Sequence, residues 1–582
     1  MKAENLPQTS ATVGFKSDWA HGGDLVARQL VEFGVKHLFT LTGGHISTVY
    51  DGVRFTDIEL IDFRHEQAAV HAADAYARIS RQPAVAALTA GPGVTGGLTG
   101  VANAFYAQSP VVTIGGRNPF VTDGAGNLQE APHLELMSPV TKYSAAVYDS
   151  WRLGEVMYDA FQAATMPRTG PAYIDLPMDV QLSRMSVKSL PPLRQLSKLS
   201  RQLPDPDLIK EIAVKISKAK QPVVMAGTGA YWGRSEKALS EFLDTSKIPV
   251  YLNGMGRGLL GKNHLHQIYG GRKQALQGAD LVLLLGVDID FRLGFGQEGV
   301  FHREATLIQV DPDASKLGHN CNVDYAVNAD ISAFIEELTQ QSNLIGKTEL
   351  SRWHKNLLNN DKARNLQLTE RVAEPEGYVH PQNFVREVAE YLDPGATVIG
   401  DGGDIVSLFS GTHKPGGAGH WMDPGPFGCL GVGAPFAMAA RLMRPSDQVA
   451  VIYGDGAFGF NGMEYESAVR QNLPFVGIMG NDGAWGEMRN FHEDIFGDEY
   501  MEAQYLSHET SYEKIVEGCG GYAERVTSSA EIKPALERAF ASGVPALVNV
   551  ILDPTYRRVN TTISGKHVAK NYGGGNADKF KR

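Results

Sequence analysis

Two acidic loops carry the densest chemical signal in this 582-residue sequence. The apolar run Val449-Ala450-Val451-Ile452-Tyr453 leads into Gly454-Asp455-Gly456-Ala457. A second apolar run, 474–479, ends in Gly480-Asn481-Asp482-Gly483-Ala484-Trp485. A helix-compatible segment, 462–472, separates them, so the order reads strand, loop, helix, strand, loop. In a parallel sheet both loops fall at the same carboxyl edge, where such sheets bind ligands. Asp455 and Asp482 then converge on one hard cation, and Gly454 and Gly456 let backbone approach a phosphate closely. Gly-Asp-Gly alone is a weak signal, because both residues form ordinary turns. The second oxygen ligand at the next strand end gives it weight.

Other residues with chemical potential also follow apolar runs. Glu66 comes directly after Ile61-Asp62-Phe63 and opens a helix, where a carboxylate is favoured whether or not it has a chemical role. Asp404 sits in Gly400-Asp401-Gly402-Gly403-Asp404-Ile405, which reads equally as a turn or a phosphate loop. His45, in Leu41-Thr42-Gly43-Gly44-His45-Ile46, ends the first strand; a lone histidine there is more often structural than catalytic. Glu487 follows Trp485-Gly486 just beyond the second acidic loop, and a surface acid is its plain alternative.

The elements that must position these residues alternate along the chain. Runs at 37–41, 60–63, 84–89 and 110–114 are interleaved with helix-like segments and followed by glycines, which argues for a parallel sheet covered by helices. The segment closes with 171–177. A polar connector, 184–205, precedes further strands at 222–226, 248–252, 281–286 and 307–311. A second, charged connector spans 343–376. Beyond it lie strands at 397–400 and 546–552 around the two acidic loops. The fold class is therefore α/β, with three consecutive parallel-sheet domains over 19–183, 205–342 and 378–553, and a tail, 554–582. From Arg557 onward the tail holds seven Lys/Arg against one acid, Asp578. Its composition favours a solvated tail over the alternative, a lid that orders over an anionic ligand.

Whole-chain properties exclude several classes. A net charge of −11 makes nucleic acid an unsuitable partner for the body of the protein. No uninterrupted apolar run reaches membrane-spanning length, and the polar start, 1–18, lacks the apolar core of a signal peptide. The three cysteines, Cys321, Cys429 and Cys519, have no metal-like spacing, so a reducing, cytoplasmic setting is expected rather than a disulfide framework.

The two acidic loops and the three-domain layout resemble the thiamine-diphosphate enzymes, whose signature is Gly-Asp-Gly followed after some tens of residues by Asn-Asn. The resemblance covers nearly the whole chain. It implies thiamine diphosphate and Mg²⁺ as cofactors, with Asp455, Asp482 and the Ala484 carbonyl holding the metal. One departure stands out: the second Asn of the pattern is Asp482 here, which keeps an oxygen ligand but adds a negative charge. By the same resemblance, Gly403, Asp404 and Ile405 contact diphosphate. Gly428, Gly454, Gly456, Ala457, Trp485 and Gly486 line the cofactor, and Leu430 bends it, although a plain core leucine reads the same. Glu66 would hydrogen-bond the aminopyrimidine ring and so favour the ylide, a carbon nucleophile. A carboxyl that donates must carry its proton, which burial favours.

The stretch around His45 resembles the Gly-Ala-His-Ile segment of benzaldehyde lyase, where the histidine faces substrate; acetolactate synthases carry a small residue there. Gln129, in Asn127-Leu128-Gln129-Glu130, resembles a segment that points an amide at the substrate. Glu487 would supply a polar group near the thiazolium. The order of motifs over 254–311 looks like that of oxalyl-CoA decarboxylases and 2-hydroxyacyl-CoA lyases. Together with the basic tail it implies an acyl-CoA substrate, with Arg257, Arg272, Arg292 and Lys566 as candidates for its phosphates. The leading expectation is a 2-hydroxyacyl-CoA lyase that releases formyl-CoA and an aldehyde or ketone, or joins them in an acyloin condensation. A CoA-independent acyloin lyase, an oxalyl-CoA decarboxylase, an acetolactate-synthase-like carboligase and a non-catalytic cofactor-binding subunit remain alternatives. The family's sites lie between subunits, so a homodimer or homotetramer is implied.

Overall fold

The computed structural model describes residues 17–497 and 503–558 and divides into two compact units, Met1–Leu199 and Ser200–Arg582. Unit 1 is built on a six-stranded, wholly parallel sheet of β1 His37–Thr40, β2 Glu59–Asp62, β3 Ala84–Leu88, β4 Val111–Arg117, β5 Tyr143–Ala146 and β6 Ala172–Pro177. Their spatial order is β2-β1-β3-β4-β6-β5. Central strands buried on both faces need uninterrupted apolar sequence, and every residue of β3 is buried. A short antiparallel pair, Trp19–Ala20 with Met185–Ser186, ties the start of the unit to its end.

Two helices of unit 1 carry or flank Glu66. The first, α1 (Glu66–Ser80), begins after His65, whose extended backbone and Nδ1 cap the Gln67 amide at 3.0 Å. The second, α2 (Pro92–Tyr106), starts on proline, which lacks the amide that a helix start leaves unpaired. Glycines on α2 let the pair approach: a Cβ on Gly96 would meet Glu66 Oε2 at 2.9 Å. Between them lies a buried polar knot. Arg78 Nε and Nη2 donate to the two Asp74 oxygens at 2.7 Å each, and Asn103 Nδ2 donates to Asp74 Oδ2 at 2.8 Å.

Unit 2 holds two more parallel sheets. One comprises β7 Pro222–Ala226, β8 Val250–Leu252, β9 Leu281–Leu285, β10 Thr306–Asp311 and β11 Tyr325–Asn328, ordered β8-β7-β9-β10-β11. Alternate side chains of β9 feed two cores: Leu281, Leu283 and Leu285 into one, Val282 and Leu284 into the other. The other sheet comprises β12 Thr397–Asp401, β13 Trp421–Met422, β14 Val449–Gly454, β15 Val476–Asn481, β16 Tyr522–Val526 and β17 Ala546–Ile551. Its order, β13-β12-β14-β15-β17-β16, repeats that of unit 1 strand for strand.

The apolar runs expected as strands all form strands. Strands β5, β11, β13 and β16 lay outside that reading: β5, β11 and β16 sit at sheet edges and are only partly buried, so none needs a continuous apolar run, and β13, buried but two residues long, is too short to show one. The charged segment 343–376 differs from a plain connector: most of it is an 18-residue helix, α3 (Arg352–Thr369), which buries only His354, Leu357 and Asp361. Three further helices of unit 2 carry site residues: α4 (Asp404–Thr412), α5 (Asp455–Asn461) and α6 (Gly486–Phe496). The segment after Ser189 up to Asp205 is irregular, as expected of a linker. None of the described helices is long and apolar enough to cross a membrane. The tail from residue 559 lies outside the described residues.

The knot between α1 and α2 generates a stability expectation. Asp74 and Arg78 are almost fully buried, so Asp74→Ala strands a guanidinium in the core and should cost about 3–5 kcal/mol. Urea unfolding followed by circular dichroism measures it; a loss under about 1 kcal/mol would contradict a buried, mutually dependent pair.

Candidate active site

The two acidic loops meet as the sequence suggests. Strands β14 and β15 are paired in parallel with Gly454 opposite Gly480, which places Asp455 and Asp482 side by side at the carboxyl edge. They line a cavity of about 570 Å³ together with Gly403, Asp404, Ile405, Gly428, Leu430, Gly454, Gly456, Ala457, Ala484, Trp485, Gly486 and Glu487. Every cofactor-binding residue expected in this half of the chain therefore borders one space. Glycine at 456 is required by packing, since a Cβ there would lie 2.5 Å from the Trp485 ring.

The electrostatics of this cavity call for a cation. Asp455 is 2 % exposed, and its Oδ2 has no hydrogen-bond partner among the described residues. Burial, reinforced by the Asp482 carboxylate, pushes Asp455 up to about 8. Asp482 rises to about 6: burial outweighs the Arg489 cation, and Asp404 adds to the rise. Burial also raises Asp404, with the Arg558 and Arg489 cations opposing. Glu487 is raised by burial and by the Asp404 carboxylate, with Arg558 opposing. One buried and one half-buried carboxylate beside a backbone carbonyl form a hard-oxygen donor set, which fits Mg²⁺. Gly402 and Gly403 lead into α4, whose first residue is Asp404, so its amino-terminal end borders the space where a diphosphate would lie.

Leu430 is braced from below by a residue that sequence reasoning passed over. Asp401, at the end of β12, is fully buried and accepts from the Gly431 and Gly433 amides at 3.0 and 2.8 Å. Asn461 Nδ2 donates to the Gly431 carbonyl at 2.6 Å. These bonds fix the turn that presents Leu430 to the cavity. Burial pushes Asp401 up to about 7, with the Gly433 and Gly431 amides opposing. The Gly-Asp-Gly-Gly-Asp pattern contained Asp401, but nothing local distinguished it from Asp404.

In unit 1, Glu66 heads α1 and lies against Gly96 of α2, while His45 occupies a short 3₁₀ turn (Gly44–Ile46) beyond β1. His45 is 8 % exposed. Its Nδ1 lies 3.3 Å from Thr89 Oγ1, and its Nε2 lies 3.2 Å from Asn118 Nδ2. Asn118 also donates to the Leu128 carbonyl at 2.9 Å, which leaves Nε2 as acceptor and the imidazole proton on Nδ1. Gln129 does converge on His45, through a side-chain hydrogen bond, from a left-handed backbone position at φ 61°. Burial lowers His45 from its ordinary value and the His133 imidazole lowers it further, while the Gln129 bond opposes both. His133 is itself held by Asp175 at 3.0 Å and accepts from the Gly91 amide at 2.9 Å. Thr89, Asn118 and His133 were not visible as site residues, since Thr89 and Asn118 follow different strands and His133 opens a short helix, His133–Met137.

The basic candidates differ in their surroundings. Arg257 and Arg292 border the cavity of unit 2, whereas Arg272 does not. Arg257 stacks 4.7 Å over the Trp421 ring and donates to the Ser410 carbonyl. Arg292 pairs with Asp290, and Arg272 donates to the Arg292 carbonyl at 3.1 Å. Lys566 lies outside the described residues. The described start of the tail does reach the cavity: Arg557 pairs with Glu493, and Arg558 Nη1 lies 3.8 Å from Asp404 Oδ1.

A pH dependence arises from the raised carboxylates. In the ligand-free chain Asp455 and Asp482 favour their protonated forms, a contribution to stability fully present below about pH 4 and lost as pH rises through 6 to 8. A divalent cation must displace those protons. Mg²⁺ affinity of the cofactor-free protein should therefore climb between pH 6 and 8, by up to about tenfold per unit for one displaced proton. Titration calorimetry in buffers of different ionisation heat reads both affinity and proton release; an affinity flat across that range would contradict the assignment.

Comparison with known proteins agrees with this geometry. Family models described as thiamine pyrophosphate enzyme N-terminal TPP binding domain, central domain and C-terminal TPP binding domain match residues 20–136, 209–338 and 401–550. A probable acetolactate synthase of Mycobacterium bovis is 40% identical over 537 residues, covering 92% of this chain and 96% of that protein. A 2-hydroxyacyl-CoA lyase 2 of Caenorhabditis elegans is 33% identical over 584 residues, covering 92% and 90%. The human protein of that name is 31% identical over 583 residues, covering 93% and 91%. Three matched domains in order, full-length relatives and a hard-oxygen pair at the carboxyl edge of the third sheet lead to one conclusion: the chain belongs to the thiamine pyrophosphate enzyme family.

Proposed function

We propose that this enzyme is a 2-hydroxyacyl-CoA lyase, cleaving its substrate to formyl-CoA and an aldehyde or ketone, and running the reverse acyloin condensation. The observation that carries the reading is His45, a buried imidazole with its proton on Nδ1 and with Nε2 as an acceptor that Asn118 now occupies, set among Thr89, Asn118 and Gln129. Cleavage beside a hydroxyl needs a group that takes the hydroxyl proton, and a neutral imidazole suits that task near pH 7. The lyase 2 relatives support the acyl-CoA substrate.

Thiamine diphosphate, when bound, supplies a carbon nucleophile for the thioester carbonyl. The chain's own residues do the rest. Asp455, Asp482 and the Ala484 carbonyl would hold Mg²⁺, and the amides around Gly403 and Asp404 the diphosphate. Leu430 would support the ring system from its braced turn. Glu66 would engage the aminopyrimidine. His45 takes the 2-hydroxyl proton as the C–C bond breaks and the aldehyde or ketone leaves; Gln129 orients that oxygen. The proton then goes to the acyl carbon, which departs as formyl-CoA. Glu487 is the second proton-handling group. Arg257, Arg292 and the basic tail are the proposed contacts for CoA phosphates. A cytoplasmic homodimer or homotetramer, with no nucleic-acid or membrane partner, completes the reading.

A second reading, an acetolactate-synthase-like carboligase, is favoured by the 40% identity to the mycobacterial protein of that name. Purified enzyme with thiamine diphosphate and Mg²⁺, given 2-hydroxyacyl-CoA, oxalyl-CoA, benzoin-type acyloins and pyruvate, separates them. Formyl-CoA from the first alone supports the lyase; CO₂ and acetolactate from pyruvate would replace it with the carboligase.

Glu66→Gln should lower kcat about a thousandfold while cofactor affinity stays within about threefold, because the diphosphate anchor is built from other residues. Near-normal turnover would remove Glu66 from this role. His45→Ala should lower kcat about 10²–10⁴-fold, the usual range for general acid–base groups. In the parent enzyme the acid limb of the kcat profile should lie below the ordinary imidazole value, since burial lowers His45. A limb unchanged by His45→Ala would contradict its role as proton acceptor.

A further inference from the structure

We propose that Arg489 is a positioning residue for the metal–diphosphate site, present to balance the charge that Asp482 brings where the family pattern has asparagine. The inference rests on the family assignment and is independent of which substrate the enzyme takes.

The observations come from the geometry of α6. Arg489 lies in the first turn of that helix, seven residues after Asp482, and its backbone amide donates to the Trp485 carbonyl at 2.8 Å. The residue is 2 % exposed, an unusual state for arginine. Its Nη2 donates to Asp482 Oδ2 at 3.2 Å and to the Tyr556 carbonyl at 3.4 Å, while Nε is buried with no partner among the described residues. Two long contacts do not satisfy a guanidinium with five N–H donors. As a stabilising ion pair the arrangement is poor, because a buried pair with incomplete hydrogen bonding recovers little of its desolvation cost. Its value lies in the surroundings.

Six carboxylates border the cavity, Asp404, Asp423, Asp455, Asp482, Glu487 and Asp553, against four arginines, Arg257, Arg292, Arg489 and Arg558. Of these arginines, Arg489 is the one paired with Asp482, while Arg558 lies near Asp404 and Arg292 pairs with Asp290. A diphosphate adds further negative charge, and a single Mg²⁺ offsets only part of it. With asparagine at 482 the site would carry one negative charge fewer. Arg489 restores that balance at the added carboxylate, and its single hydrogen bond to Oδ2 leaves Oδ1 for the metal. Asp482 and Arg489 thus form one functional pair: the carboxylate is tolerable beside the diphosphate because the guanidinium holds it.

The test is a double-mutant cycle read by binding rather than turnover. Parent, Asp482→Asn, Arg489→Gln and the double variant are stripped of cofactor. Thiamine diphosphate affinity is then measured by calorimetry at fixed, saturating Mg²⁺. Arg489→Gln should weaken binding about tenfold, the Asp482→Asn variant should stay within about threefold of the parent, and the double variant should recover to within about threefold. Recovery is what a merely structural arginine, or one that contacts the diphosphate directly, would not show. Equal losses from Arg489→Gln in the parent and in the Asp482→Asn variant overturn the proposal. Arg489→Lys covers the case in which Arg489→Gln does not fold: it keeps the charge and should bind within about threefold of the parent, and a tenfold loss that persists when Asp482→Asn is added counts against the pairing equally.

Discussion

Two carboxylates held together in a buried place, with one oxygen left unpaired, set the terms for the rest of unit 2. Asp455 and Asp482 are carried to the same edge by the register of β14 and β15, each following the last residue of its strand. Burial raises both, and a neighbouring carboxylate adds to each rise, so the ligand-free protein holds them at a cost. A divalent cation with its diphosphate removes that cost. Whatever binds the folded state and not the unfolded one also adds stability by mass action, so ligand binding and folding are linked here.

The two six-stranded sheets share one strand order, and the functional residues follow from it. In both, the first and third strands of the sheet lie side by side while their connections run to opposite sides, which opens a crevice at the carboxyl ends. In unit 2 this switch point lies between β12 and β14, whose following loops carry Asp404 and Asp455. In unit 1 it lies between β1 and β3, followed by His45 and Thr89, which are hydrogen-bonded to each other. One topology thus gives a metal and phosphate cradle in one case and a proton-handling corner in the other, the difference residing in the loops.

Much of this was legible in the sequence because parallel sheets buried on both faces write themselves as apolar runs ending in glycine. That pattern located β7, β9, β14 and β15, and with them Asp455 and Asp482. Edge strands β5, β11 and β16 were not legible, since an edge exposed to solvent imposes no such run. Glu66 was legible as a helix-opening acid, and its carboxyl proved to rest on Gly96, a contact between two separate helices that no local pattern reveals. The residues around His45 illustrate the same limit. Thr89, Asn118 and Gln129 reach it from separate segments of the chain, and only the fold brings them together. Arg489 was equally silent: a single arginine on a polar helix looks like a surface residue until burial shows otherwise.

The claim that the Asp455–Asp482 pair exists to hold a divalent cation with a diphosphate is tested most directly by the thermal stability of cofactor-free protein under four conditions. These are no addition, Mg²⁺ alone, thiamine diphosphate with a chelator, and the two together. The account expects the combined addition to raise Tm by clearly more than the sum of the separate shifts, because each ligand neutralises charge that opposes the other. A shift with thiamine diphosphate and chelator as large as that with Mg²⁺ present would contradict it.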